Sequence, residues 1–167
     1  MIRKIVLIVA LSIGVAGFGQ DDGVSKADED KMEKGVLMLS DSVIEMDVDE
    51  DVYSITQGNS YFTSDQKSAI IGMVVPSSYK KMKEDMGNQE AREGVEIIDR
   101  GELIENGKKV LYMKHKLERE GEVYIMLIYC KENNEESSIV ITSYFEVDKE
   151  DEYIGVIKKA IFSAKVE

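Results

Sequence analysis

The dipeptide Asn106-Gly107, set between Leu103-Ile104-Glu105 and Lys108-Lys109-Val110, constrains this chain more than any other feature. A two-residue hairpin turn of type I′ needs positive φ at both central residues, and Asn-Gly accepts that at the least steric cost. Further turn chemistry follows at similar intervals. Residues 110–117 run to Arg119-Glu120-Gly121, and residues 123–130 run to Glu132-Asn133-Asn134-Glu135 before the apolar run 139–145. Apolar runs of this length between turn residues read as consecutive antiparallel strands. Residues 103–145 are therefore expected to form a meander that the rest of the chain covers.

The cover has to be two-sided. In the run 123–130, Val123, Ile125, Leu127 and Tyr129 point one way, while Tyr124, Met126, Ile128 and Cys130 point the other. Side chains alternate along a strand, so a strand apolar in both rows is buried on both faces. Two helices are available as covers. One begins after Pro76, capped by Ser77 or Ser78, with a stripe of Tyr79, Met82 and Met86 and an end at Gly87 or Gly94. The other begins near Asp148 as its cap and places Tyr153, Ile154, Ile157, Ala160, Ile161 and Ala164 on one face, with Lys158, Lys159 and Lys165 toward its end. They cover opposite faces, or the N-terminal strands fold over one of them.

Those N-terminal strands are shorter. Val36-Leu37-Met38-Leu39 is a first candidate, and Ile44, Met46 and Val48 alternate with Glu45 and Asp47. Residues 52–56 and Tyr61-Phe62 flank Gln57-Gly58-Asn59-Ser60, and the nearly unbroken apolar run 68–75 closes at Pro76. Val95, Ile97 and Ile98 open the next strand, which Asp99-Arg100-Gly101 is expected to interrupt.

At the start of the chain, Arg3 and Lys4 precede an uncharged apolar run, with small residues at Ala16, Gly17 and Gly19. This is the pattern of a signal peptide over residues 1–20, and the run is shorter than the ~18–20 residues of a spanning helix. Residues 21–35 read as an acidic, flexible leader, and 36–167 as a single domain. The expected location is outside the cytoplasm, periplasmic or extracellular, with no stable membrane insertion once the signal is removed. The formal charge of −12 becomes −14 when the cations Arg3 and Lys4 leave. Such a chain repels nucleic acid and anionic surfaces. Cys130 is the only cysteine, so no intrachain disulfide contributes.

Short strands, a helix, a long meander and a closing helix, in this order, resemble the PsbP-like fold family, named for an extrinsic subunit of the photosynthetic oxygen-evolving complex. The resemblance covers about residues 36–166. It is carried by the strand ending at Val74-Val75-Pro76, by the Asn106-Gly107 hairpin, and by Tyr153-Ile154-Gly155-Val156-Ile157 of the closing helix. It implies an α+β fold, an antiparallel sheet meander flanked by helices in a PsbP-like sandwich. It also implies a role as accessory or assembly factor. It brings no catalytic residue with it, and nothing in the sequence is photosynthetic.

Chemistry-bearing residues are sparse. Asp47-Val48-Asp49-Glu50-Asp51 has the acid spacing of a calcium loop. Val52 stands where that loop needs glycine, however, and Gly58 where it needs glutamate. His115, the only histidine, shares its strand row with Leu111, Met113 and Leu117. It reads as a packed histidine with its ring hydrogen-bonded. One His and one Cys are too few for zinc. Cys130 ends an apolar strand and reads as a small buried hydrophobe rather than a reactive thiol, although Lys131 is adjacent. Ser77-Ser78 and Ser137-Ser138 lack the glycine frame of a nucleophile elbow. The nine methionines are scattered, without Met-x-Met or Met-x-x-Met spacing outside the signal, and read as core filling rather than copper ligands. The expectation is a protein with no catalytic, cofactor-binding or metal residues that binds another protein or a small ligand. The alternative is a small extracytoplasmic enzyme using His115 with nearby carboxylates.

Overall fold

The computed structural model describes residues 42–119 and 121–167. The expected signal peptide, the acidic leader and the candidate strand at Val36-Leu37-Met38-Leu39 lie outside the described residues. The elements run β1 (Ile44–Glu45), β2 (Ile55–Gln57), β3 (Ser60–Phe62), β4 (Ala69–Val75), α1 (Tyr79–Asn88), β5 (Val95–Glu105), β6 (Lys108–Arg119), β7 (Glu122–Glu132) and β8 (Ser138–Glu146). A 3-10 turn over Val147–Lys149 leads into α2 (Glu150–Ser163), and β9 (Lys165–Val166) follows. Seven strands form one sheet in the order β2-β3-β4-β8-β7-β6-β5, and β1 pairs with β9 in a separate ladder. Every neighbouring pair is antiparallel.

The meander forms where the turn chemistry places it. Asn106 and Gly107 adopt φ of 51° and 77°, and Glu105 pairs with Lys108 across them. Gly58 turns β2 into β3 with φ of 57°. After Pro76 the chain leaves the sheet, crosses one face as α1, and re-enters at the far edge as β5. The meander then returns strand by strand until β8 lies against β4.

This path puts the two helices on opposite faces. On one, Ile125, Leu127 and Tyr129 of β7 join Ile139, Ile141 and Phe145 of β8 beneath Tyr153, Ile157, Ala160 and Ile161 of α2. On the other, Met126, Ile128 and Cys130 of β7 join Leu111, Met113 and Val140 beneath Met82 and Met86 of α1. Both rows of β7 are thus buried. Full burial of a side chain of this size stabilises by about 1.5–3 kcal/mol, so the sheet supports a separate core on each side.

Several local expectations give way to tertiary contacts. Ser78 is the α1 cap, accepting from the Lys81 amide at 3.3 Å, but neither glycine ends the helix. Gly87 lies inside it and Gly94, with φ of 77°, forms the turn before β5. The helix stops at Asn88, where Arg100 from β5 donates to Met86 O at 3.2 Å and Gln89 O at 2.8 Å. Asp99-Arg100-Gly101 does not interrupt β5. A bulge leaves Ile98 without a partner between the Ile97/His115 and Asp99/Lys114 pairs, and the strand continues. Gly101 belongs there because the Tyr112 ring lies across it; an added Cβ would sit 3.0 Å from Tyr112 Cε1.

Asp148 is not the α2 cap. The 3-10 turn draws it into the helical run, and Lys149 precedes the helix without a side-chain cap. Glu150, Asp151 and Glu152 in the first turn supply the negative charge that the helix dipole favours. At the other end the cations come from the sheet. Lys108 Nζ donates to Phe162 O at 3.2 Å, and Lys131 Nζ donates to Ala164 O. Near the N-terminus, Ile44 and Met46 are buried and Glu45 and Asp47 exposed, as the alternation requires. Only Ile44 and Glu45 form a ladder, and β2 begins at Ile55 because Tyr53 is taken into the α2-side core.

Candidate functional site

The α1 face of the sheet gathers the residues with chemical character. His115 on β6 is 2% exposed and sits between Ile97 of β5 and Met126 of β7. Cys130 on β7 is fully buried and sits between Leu111 and Val140. They share a face but lie four residues apart along paired strands, about 13 Å at ~3.3 Å per residue. They are therefore not a nucleophile and its base.

Their electrostatics follow from burial. The Cys130 thiol is pushed up to about 11 by desolvation, against a smaller opposing contribution from its hydrogen bond with Ser138. Lys131 is the next residue on the strand, so it points to the opposite face and spends its charge on the end of α2. Burial holds the His115 imidazole below its ordinary value, and no charged neighbour contributes. Its Nδ1 has no hydrogen-bond partner among the described residues. An unpaired buried polar atom costs about 1–3 kcal/mol, which a strand row otherwise apolar does not recover through hydrogen bonding. Thr142 Oγ1, on the same face, is likewise buried without a partner.

The thioethers are the feature that sequence spacing hid. Met73, Met82, Met86, Met113 and Met126 come from four elements and meet on the α1 face, whereas Met46 alone among the described methionines packs on the α2 face. Met113-Lys114-His115 is the one local signal. It places a thioether and an imidazole two residues apart in the same strand row, a spacing that Met-x-Met patterns do not include.

Elsewhere the candidate groups serve structure. In the acidic stretch, Asp49 O accepts from the Val52 and Tyr53 amides at 3.2 and 2.8 Å, and Asp49 Oδ1 accepts from the Asp51 amide at 3.0 Å. Asp47 pairs with Lys159 at 2.9 Å. Ser78 caps α1, and Ser138 donates to Ser77 O at 2.8 Å. No group of three or more His, Cys, Asp or Glu side chains converges to hold a metal among the described residues.

No protein-family model matches the sequence, and no curated protein matches it. Solved structures do. LpqN of Mycobacterium tuberculosis, a protein involved in cell envelope biogenesis, aligns with a TM-score of 0.50 at 8% identity over 76% of this chain and 84% of its own. The likeness extends to the fold alone, an α+β arrangement of an antiparallel sheet with two helices. The cyanobacterial PsbP of Synechocystis aligns over 90% of this chain and 99% of its own, at 12% identity and a TM-score of 0.42. A Pseudomonas aeruginosa protein of unknown function aligns over 72% and 81%, at 12% identity and 0.45. The arrangement here is an antiparallel sheet between two helices, with the lone histidine and cysteine on the face beneath α1.

Proposed function

We propose that this protein is an exported, non-catalytic accessory or assembly factor that acts by binding a protein or a small ligand. The single observation that supports this reading is the placement of its only histidine and only cysteine. Both are packed inside the α1-side core, in separate rows, with no charged group perturbing His115. General acid–base chemistry needs a group within hydrogen-bond reach of a substrate proton, and nucleophilic chemistry needs an activated thiol. A thiol raised to about 11 and a shielded imidazole supply neither. The acidic charge argues against nucleic acid as partner, and no helix among the described residues is long and apolar enough to cross a membrane. The envelope role ascribed to LpqN is compatible with an exported location.

A binding factor acts in proportion to its amount, while an enzyme turns over. The test is complementation of a deletion strain across a graded series of expression levels. Rescue should follow abundance down the series. Full rescue at about one hundredth of the native level would favour the enzyme alternative, since turnover numbers are commonly 1–10³ per second.

A further inference from the structure

We propose that the α1 face of the sheet holds a monovalent soft metal ion, Cu(I), on the Nδ1 nitrogen of His115 and the thioether sulfurs of Met113 and Met126, with Met86 closing the site from α1. The backbone sets three of these donors around one point. Met113 and His115 share a strand row two residues apart, about 7 Å between Cα atoms. Met126 is the direct cross-strand partner of His115, about 5 Å away. Methionine is long and unbranched, so sulfurs starting from these positions reach a common centre beside the ring. Met86 of α1 is buried in the same cluster as Met113 and Met126. Arg100 pairs with Met113 in the ladder, and its guanidinium binds the carbonyls of Met86 and Gln89 at the end of α1. That contact fixes the last turn of α1 above Met113 and turns the cation toward helix carbonyls.

The donor set selects the ion. Thioether and imidazole are soft or borderline ligands, suited to Cu(I). Each of them binds metal as a neutral donor. A divalent ion here would bring two buried charges with no carboxylate to offset either, while a monovalent ion brings one. The orphaned Nδ1 of His115, almost wholly buried, is the second observation, because metal coordination gives that atom the partner the protein does not. Cys130 lies two rows further along β7, beside Leu111, and stays outside the site.

The inference stands beside the accessory reading and not on it. Signal-cleaved protein is mixed anaerobically with Cu(I)-bicinchoninate in ascorbate, and the loss of the chelator's colour is followed. The protein should withdraw one Cu(I) per chain. His115→Ala, Met113→Leu and Met126→Leu should each weaken binding about tenfold or more, and Cys130→Ala should bind as wild type. The leucine variants nearly conserve volume, so their circular dichroism should be unchanged. X-ray absorption at the copper edge should show nitrogen and sulfur neighbours together. Failure to compete with the chelator overturns the site, as does undiminished binding by His115→Ala or Met113→Leu, or binding lost on removal of Cys130. A protein that takes no Cu(I) yet rescues in proportion to its abundance would remove the metal site and leave the accessory function standing.

Discussion

On the α2 face, the core is built from isoleucine, leucine and aromatic rings. Tyr153 of a fourteen-residue helix packs at a tilt against Tyr53 and Phe145, with centroids about 6 Å apart. On the α1 face, the corresponding core is thioether-rich, includes the lone histidine and cysteine, and lies beneath a ten-residue helix. One strand, β7, supplies a row to each. The α2 face uses side chains with few rotamers that specify a single packing. The α1 face uses flexible chains that adapt to irregular gaps, and unpaired buried polar atoms occur on both sides, His115 Nδ1 and Thr142 Oγ1 here and Ser143 Oγ on the α2 face. Stability is thus concentrated on one side of the sheet and chemical opportunity on the other.

The largest test of this contrast is Ile157→Ala, which empties the centre of the α2-side core. It should cost about 2–5 kcal/mol in denaturant unfolding, within the range for buried Ile, Leu or Met truncations. A loss below about 1 kcal/mol would show that the α2 face is not the stabilising one. Next is Ser78→Ala, which removes the α1 cap and should cost about 1 kcal/mol, read as a lower melting temperature. A drop as large as that of Ile157→Ala would mean that the short helix carries the fold.

His115→Leu sharpens the comparison through pH. The folded-state pKa of His115 is depressed below 6.5 by burial, so the unfolded chain binds more protons. Wild type should therefore lose stability as pH falls from 6.5 through the folded-state value. The leucine variant lacks this slope and should match or exceed wild-type stability at neutral pH, since the orphaned nitrogen is gone. Melting curves between pH 7 and pH 5 check it, and parallel slopes for the two proteins would remove His115 from the account. The smallest expected effect is Met82→Leu, below about 1.5 kcal/mol, because a plastic core tolerates a volume-conserving exchange. A larger cost would show that the thioether face is as finely fitted as its opposite.

The architecture was legible because it rests on local periodicities. Asn106-Gly107 specifies its own turn, the two rows of residues 123–130 require two covers, and the stripe from Tyr153 to Ala164 faces the sheet. What was not legible depends on partners distant in the chain. The α1 terminus follows from Arg100, the α2 terminus from Lys108 and Lys131, and the passage of β5 through Asp99-Arg100-Gly101 from the Tyr112 ring across the strand. The candidate site belongs to this second class. Its methionines span residues 73–126, and their convergence depends on strand order, which no local spacing encodes.

The excursion of the chain between β4 and β5 also has a kinetic meaning. Ala69 pairs with Tyr144 and Val75 with Ser138, each more than sixty residues downstream. During synthesis, β4 emerges long before its partner β8 exists, while the β5–β6 hairpin can zip as soon as Asn106-Gly107 is free. Joining β4 to β8 closes the longest loop in the sheet, so it carries the largest entropic barrier and comes last. Until that moment the edge of β4 that faces β8 is unpaired, with only the short β3 on its other side, and the interval before closure is when this protein is most exposed to aggregation and to proteases.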